Sequence, residues 1–170
     1  MVDADTRLKE VIPMSDLEEI EAIKRLKYKY FRCLDSKLWD ELAECFTEDA
    51  TTSYSSGKYS FRGRDKIMEF LKGALGDHTH LSMHQGHHPE IELTSKTTAR
   101  GIWALEDYLI DLKANTSLRG AAFYKDEYVK VDGQWKIKQT GYDRVFSEVW
   151  NRRETPSLKL LESMFTSPNK

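Results

Sequence analysis

The first part of the chain carries apolar residues at helical spacing. The capping-box pattern Ser15–Glu18 predicts a helix that begins there and runs to about Asp35. A second amphipathic helix is predicted over 38–46 and a third over 65–75. The apolar positions of the first helix recur every three or four residues, as one face of a helix requires. They are Leu17, Ile20, Ile23, Leu26, Tyr30, Phe31 and Leu34.

The pattern changes to that of strands near residue 80. Before that point, a short strand over 51–55 and a returning strand over 59–61 are predicted on either side of a turn. The pair Asp132-Gly133 is the strongest hairpin signal in the chain. The long strands are predicted at 80–86, 89–95, 97–111, 118–131 and 134–147.

Helices followed by a long antiparallel meander predict an α+β fold. The apolar face of such a sheet needs cover, and about three N-terminal helices can supply it if the sheet curves. A strongly curved sheet covered in this way forms a cone-shaped α+β barrel with a pocket inside. We expect a mobile lead-in over 1–14, one domain over 15–150 and a C-terminal arm over 151–170.

Composition and charge exclude several kinds of partner. The chain has 170 residues, of which 39% are hydrophobic and 32% charged. Its 26 basic and 28 acidic residues give a net charge of −2, without the basic excess of a nucleic-acid surface. No apolar run approaches the roughly 20 residues of a membrane span, and Met1–Asp5 does not begin a signal peptide. We expect a cytoplasmic protein that binds neither nucleic acid nor membrane.

His84 and Asp107 are the first candidates for chemistry, because each lies among apolar residues of a predicted strand. Asp107 shares a strand face with Trp103 and Leu105, where an unpaired polar group would be costly. A buried imidazole beside a buried carboxylate is a common proton-transfer site near neutral pH. A hydrogen-bonded structural histidine and a structural ion pair remain the alternatives.

Four other polar residues lie in similar surroundings. Tyr30 falls on the apolar stripe of the first helix, where a lone tyrosine usually serves packing. Asp35 ends that helix, where a cation is favoured, so a specific partner for its carboxylate is expected. Tyr54 and Arg144 interrupt strand-like segments, and a surface salt bridge is the alternative for Arg144.

The histidine-rich stretch around His84 also suggests a metal site. Zinc needs three or four convergent ligands. On a strand, however, His84 and His87 point to opposite faces, and Pro89 distorts the strand after His88. The chain has no HExxH motif and no closely spaced cysteine pair. We therefore predict that no metal is bound here.

Several short segments occur together in an order that resembles a known family. The most specific are Tyr-Phe-Arg-Cys-Leu-Asp at 30–35 and Ser-Met-His-Gln-Gly-His at 82–87. The set resembles the SnoaL-like branch of the nuclear-transport-factor-2-like superfamily, and within it the bile-acid 7α-dehydratases. Scytalone dehydratase, a hexachlorocyclohexane dehydrochlorinase and ketosteroid isomerase are more distant relatives. The similarity extends from about Asp16 to Glu148.

This resemblance implies a cone-shaped barrel with a deep pocket, a homotrimer and catalysis without a cofactor. The residues matching Tyr30, His84 and Asp107 are catalytic in the family, and those matching Tyr54 and Arg144 support the site. The implied reaction is dehydration of a hydroxylated 3-oxo steroid or bile-acid-like substrate through a dienolate. His84 would move the proton, and Asp107 would orient His84. Tyr30 would bind the enolate oxygen, with the leaving hydroxyl group as the alternative partner of its phenol.

Some alternatives stay open. Asp35 is a second candidate for orienting His84, because distant relatives use a carboxylate from the first helix. Another SnoaL-like lyase or isomerase acting on a polyketide, aromatic or halogenated substrate is the enzymatic alternative. A non-catalytic protein that binds small molecules is the third possibility, since the superfamily includes such proteins.

Overall fold

A computed structural model of the protein describes residues 14–165, which form three α-helices, a 3-10 turn and one six-stranded sheet. The lead-in expected over 1–14 lies outside the described residues except for Met14, as does the end of the C-terminal arm after residue 165. The helices are α1 Met14–Asp35, α2 Trp39–Ala43 and α3 Arg64–Leu75, with a 3-10 turn at Arg152–Glu154. The strands are β1 Phe46–Tyr54, β2 Tyr59–Arg62, β3 His80–Leu93, β4 Thr98–Asp111, β5 Thr116–Val131 and β6 Gln134–Asn151.

The six strands form a curved sheet in the order β2-β1-β6-β5-β4-β3, and the sheet does not close. Strands β3 to β6 are an antiparallel meander, as predicted. The meander brings β6 back beside β1, and these two strands pair in parallel. This one parallel pair is a departure from the expected all-antiparallel sheet. The predicted α+β class with N-terminal helices is confirmed.

The helices cover the concave face of the sheet. Helix α1 packs across β3, and α3 packs against β1 and β2 with further contacts to β3. Ile23 and Leu34 of α1 and Ile67 and Leu71 of α3 are buried there. Each such side chain contributes about 1.5–3 kcal/mol when it leaves water. No helix among residues 14–165 is long and apolar enough to cross a lipid bilayer.

The second helix is shorter than the predicted segment 38–46, and the first strand starts earlier than residue 51. Helix α2 ends at Ala43, and β1 begins at Phe46. The early start of β1 follows from its pairing with β6, in which the backbone N–H of Ile137 donates to the carbonyl of Cys45 at 2.8 Å. Pairing with β6 therefore ends the helix that the local sequence favours.

The strands predicted at 80–86 and 89–95 are one strand, so the turn predicted between them is wrong. The pairing of β3 with β4 is continuous except for an irregularity between His87 and Glu90. There His88 adopts a left-handed φ of 46°. Pro89 lacks an N–H, but β3 is the edge of the sheet, where proline is tolerated. The hairpin at Asp132-Gly133 is confirmed, with positive φ at both residues.

Candidate active site

A cavity of about 650 Å³ lies between the concave face of the sheet and helices α1 and α3. This volume is in the range of pockets that hold drug-sized molecules, roughly 300–1,000 Å³. Five of the six predicted site residues line it: Tyr30, Tyr54, His84, Asp107 and Arg144. Its other lining residues are Leu34, Ser55, Lys58, Tyr59, Phe70, Leu71, Ala74, Leu75, Leu109, Leu118, Tyr124, Tyr142 and Ser147.

His84 is held by Asp35, which ends α1 directly behind it. The Nδ1 atom of His84 lies 2.7 Å from Asp35 Oδ1, and the backbone N–H of His84 donates to Asp35 Oδ2 at 2.7 Å. Ser82 Oγ donates to Asp35 Oδ1 at 2.8 Å. The side chains of His84 and Asp35 are only 10% and 11% exposed. This carboxylate at a helix end thus has the specific partner that its position predicted.

The Asp35 contact fixes how His84 can act. A carboxylate accepts hydrogen bonds, so the Nδ1 atom carries the proton of the neutral imidazole. The Nε2 atom then keeps its lone pair and can accept a proton. Because His84 lines the cavity, this base is available to a molecule bound there.

Asp107 has a different partner from the one predicted. It lies opposite His84 in the β3–β4 pairing, and it is almost fully buried. Its two oxygens accept hydrogen bonds from Arg144 Nη1 at 2.6 Å and Nη2 at 2.7 Å. The expectation that Asp107 orients His84 is therefore corrected, since Asp35 makes that contact. Alternation along β4 correctly predicted that Asp107 faces inward, but it does not determine whether His84 or Arg144 is its partner.

The ion pair of Asp107 and Arg144 forms part of the cavity wall. The Arg144 guanidinium also lies over the ring of Tyr142, 4.7 Å from its centroid. Burial disfavours the charged guanidinium, but the Asp107 hydrogen bonds keep the pKa of Arg144 above its ordinary value. Bidentate geometry of this kind is among the stronger charge-assisted contacts in proteins.

Three tyrosine hydroxyls gather at one end of the cavity. Tyr30 and Tyr54 are buried, and their hydroxyl oxygens lie 3.3 Å apart. Tyr124 lines the cavity beside them. Burial raises the pKa of all three phenols well above the ordinary value near 10. They are therefore neutral hydrogen-bond donors at physiological pH.

Sequence reasoning missed several residues of this site. Tyr124 and Tyr142 line the cavity, and Lys27 with Asp126 forms a buried ion pair beneath it. Tyr124 and Asp126 were detectable, because they alternate with exposed residues along β5 and so share its inner face. The burial of Lys27 was not predicted, because lysine side chains are usually exposed.

The histidines after His84 take no part in the cavity. His87 and His88 are exposed at the irregularity of β3, with ring centroids 5.9 Å apart. Within residues 14–165, no three histidine, cysteine, aspartate or glutamate side chains are grouped so that they could hold a metal ion.

Comparison with solved structures finds relatives with this fold. A protein from Novosphingobium aromaticivorans assigned as a scytalone dehydratase is 29% identical, with 79% of this chain and 89% of that chain covered and a TM-score of 0.73. A type 2 hexachlorocyclohexane dehydrochlorinase is 21% identical, with coverage of 91% and 97% and a TM-score of 0.72. The type 3 dehydrochlorinase from Novosphingobium barchaimii is 22% identical, with coverage of 79% and 91% and a TM-score of 0.70.

The two dehydrochlorinases are similar to this chain in fold. The family comparison is more specific, because the SnoaL-like domain matches residues 15–141. That range includes α1 from its second residue onward, the tyrosine end of the cavity and the paired strands β3 and β4 that carry His84 and Asp107. The chain therefore belongs to the SnoaL-like domain family.

Proposed function

We propose that this protein is a cofactor-free lyase that removes water from a hydroxylated 3-oxo steroid or bile-acid-like substrate. The main support is that His84, held by Asp35, presents a basic nitrogen in a largely apolar cavity that also contains neutral phenol donors. A protein that only binds small molecules has no need of this arrangement. The names of the similar structures, a dehydratase and dehydrochlorinases, both describe eliminations.

The lining of the cavity supports a rigid apolar substrate. Leu34, Phe70, Leu71, Leu109 and Leu118 give it apolar walls. Its volume of about 650 Å³ is large enough for a fused-ring compound. Polar side chains lie between these walls, with phenols at the tyrosine end and charged and imidazole groups around His84.

In the first step, His84 Nε2 takes a proton from the carbon γ to the carbonyl of an enone. The electron pair of that C–H bond delocalises into a dienolate, with negative charge on the carbonyl oxygen. Tyr30 donates a hydrogen bond to this oxygen, and Tyr54 supports Tyr30 through their hydroxyl contact. Asp35 stabilises the imidazolium that forms.

In the second step, the dienolate electrons re-form the carbonyl and expel the hydroxyl group from the neighbouring carbon. The imidazolium of His84 gives its proton to the departing oxygen, so that water leaves and His84 returns to its neutral form. Asp107 and Arg144 line the cavity beside His84, and we assign them to positioning this leaving group. The overall reaction needs no oxidant, reductant or metal.

This function is tested with a 7α-hydroxy-3-oxo-4-ene steroid. The protein should convert it to a conjugated dienone, detected as a new absorbance band at longer wavelength. The matched control is the same steroid without the 7-hydroxyl group, which should bind and give no band. Tight binding of both steroids with no new band from either would contradict the proposal.

A halogenated ring compound is the second candidate substrate, because the chain shares its fold with hexachlorocyclohexane dehydrochlorinases. The same base would take the proton, and chloride would leave in place of hydroxide. Chloride release from hexachlorocyclohexane, with no reaction of the hydroxysteroid, would favour this candidate.

We also propose that the protein assembles as a homotrimer in the cytoplasm. The outer face of the sheet exposes large apolar residues on four neighbouring strands: Met83, Ile102, Phe123 and Phe146. An exposed patch of this kind is typical of a contact surface. Light scattering should give three times the chain mass, and Phe123→Glu should reduce it to the mass of one chain. The free, buried thiols of Cys33 and Cys45 suit a reducing compartment.

A further inference from the structure

A lysine is completely buried beneath the cavity. Lys27 lies on the apolar stripe of α1, four residues after Ile23 and four before Phe31, with no side-chain exposure. Its Nζ atom lies 2.7 Å from Asp126 Oδ2 and 3.4 Å from Thr140 Oγ1. Lysine is among the residues least often found fully buried.

The partner of Lys27 is held by a complete hydrogen-bond network. Asp126 accepts hydrogen bonds from Thr140 Oγ1 at 2.6 Å and from Tyr128 at 2.7 Å, and Tyr128 accepts one from Trp103 Nε1 at 2.9 Å. Burial lowers the pKa of Lys27, and the Asp126 carboxylate opposes that shift. Replacing such a buried pair with apolar residues is often neutral or stabilising. Stability alone therefore does not account for it.

The Lys27 ammonium faces the aromatic rings that form the tyrosine end of the cavity. It lies 3.7 Å from the ring centroid of Tyr124 and 4.7 Å from that of Tyr30. Both tyrosines line the cavity. A cation against the face of a phenol attracts ring electrons and favours negative charge on the conjugated oxygen. The Asp126 carboxylate acts in the opposite direction and raises the pKa of both phenols. The ammonium, however, lies directly against the ring faces, so the O–H groups are stronger hydrogen-bond donors than they would be beside Asp126 alone.

We propose that Lys27 is a positioning residue that polarises Tyr30 and Tyr124, so that their hydroxyls bind an oxyanion in the cavity. The Lys27–Asp126 pair fixes the cation beneath the rings without placing it in the cavity. The inference rests on the proposed dienolate chemistry, and it assigns the tyrosine end of the cavity to the carbonyl end of the substrate. It adds Lys27 and Asp126 to the residues that set the rate.

The first test separates stability from catalysis. Lys27→Met leaves Asp126 buried without its cation and should lower the melting temperature. The double variant Lys27→Met with Asp126→Asn removes both charges and should melt close to the wild type. Both variants should lose about tenfold or more in kcat with little change in KM, because a donor that acts on developing charge affects the transition state most. A double variant with wild-type kcat would overturn the inference.

The matched control is Lys130→Met. Lys130 also joins β5 to α1, through a salt bridge of 2.5 Å to Glu19, and it lies over the ring of Trp135. This pair is more exposed and does not line the cavity. The control should lose stability to a small extent and keep its kcat.

A second readout does not depend on turnover. The absorption spectrum of bound 2-naphthol distinguishes its neutral form from its anion, and the anion resembles a dienolate in charge. The ratio of bound anion to neutral form should be about tenfold higher in the wild type than in the double variant. An equal ratio would overturn the role of Lys27. If the wild type does not dehydrate the steroid but the ratio is still lower in the double variant, the role of Lys27 is kept and the dehydratase function is rejected.

Discussion

Two carboxylates neighbour His84, and one of them holds its imidazole ring. Asp35 contacts the Nδ1 atom of the histidine at 2.7 Å, while Asp107 is bonded to Arg144. The sequence offered both carboxylates, because alternation along a strand fixes the face of a side chain and not its partner. The choice depends on how the end of α1 docks against β3, which is a tertiary contact.

Asp35→Asn should change the tautomer of His84. An amide can donate its N–H to Nδ1, which would move the ring proton to Nε2 and remove the free base. Nitrogen NMR shifts of the imidazole should then report a proton on Nε2, and kcat should fall by about 10² to 10⁴, the usual contribution of general acid–base catalysis. Asp107→Asn is the control, and it should leave the tautomer unchanged. A changed tautomer in Asp107→Asn and an unchanged one in Asp35→Asn would show that Asp107 orients His84.

At the scale of elements, the pairing of β4 with β5 makes room for the ion pair of Asp107 and Arg144. Gly120 lies opposite Asp107 in that pairing. A Cβ atom at Gly120 would overlap the Arg144 guanidinium and would lie 2.7 Å from Asp107 Oδ1. The glycine is therefore required by space, since the two charged groups occupy the place of its side chain.

Gly120→Ala should displace the ion pair. We expect a loss of roughly 1–3 kcal/mol in the free energy of unfolding, as for other overpacked sites, together with lower kcat/KM. The control is Gly73→Ala in α3, where a Cβ would meet nothing within 4 Å. That change should raise stability by about 0.5–1 kcal/mol, because alanine favours a helix interior. Urea denaturation measures both, and a neutral Gly120→Ala would show that the pair can shift freely.

The predictable elements were those whose local pattern and tertiary pairing agree. Helix α3, the long strands β4 to β6 and the Asp132-Gly133 hairpin match their sequence patterns closely. Helix α2 and strand β1 have other bounds than their sequence patterns predict, because Cys45 already pairs with β6 where the sequence favours a helix. The His88-Pro89 pair signals a turn, yet an edge strand can absorb it as an irregularity.

At the scale of the whole molecule, the buried tyrosines connect stability to pH. Burial raises the pKa of Tyr30, Tyr54, Tyr124 and Tyr128 well above that of an exposed phenol. Their contribution to stability is fully present below the unfolded-state pKa near 10 and is lost as pH rises above it. The sign is set by the unfolded chain, which releases these protons first.

The free energy of unfolding, measured in urea across alkaline pH, should therefore fall once the pH exceeds about 10. Tyrosinate absorbance from these four residues should appear together with unfolding. Their complete ionisation near pH 10 in a protein that remains folded would contradict the burial of the tyrosine end of the cavity.

Part of this arrangement was predictable from the sequence. Alternation and helical spacing predicted a curved sheet with a covered concave face, and five of the six named site residues line one cavity there. The layer beneath that cavity was not predicted. From the sequence alone, Lys27 is expected at the surface. In the structure, the curvature of the sheet places Asp126 against α1, where it pairs with Lys27.

Two histidines on β3 each pair with an aspartate, and comparing them tests whether His84 is the base. His84 is bonded to Asp35 and lines the cavity between the sheet and helices α1 and α3, whereas His80 lies 3.1 Å from Asp111 outside it. Turnover of the hydroxysteroid should fall by about 10² to 10⁴ in His84→Ala and should stay at the wild-type value in His80→Ala. Unchanged turnover in His84→Ala would contradict the central claim that His84 is the base.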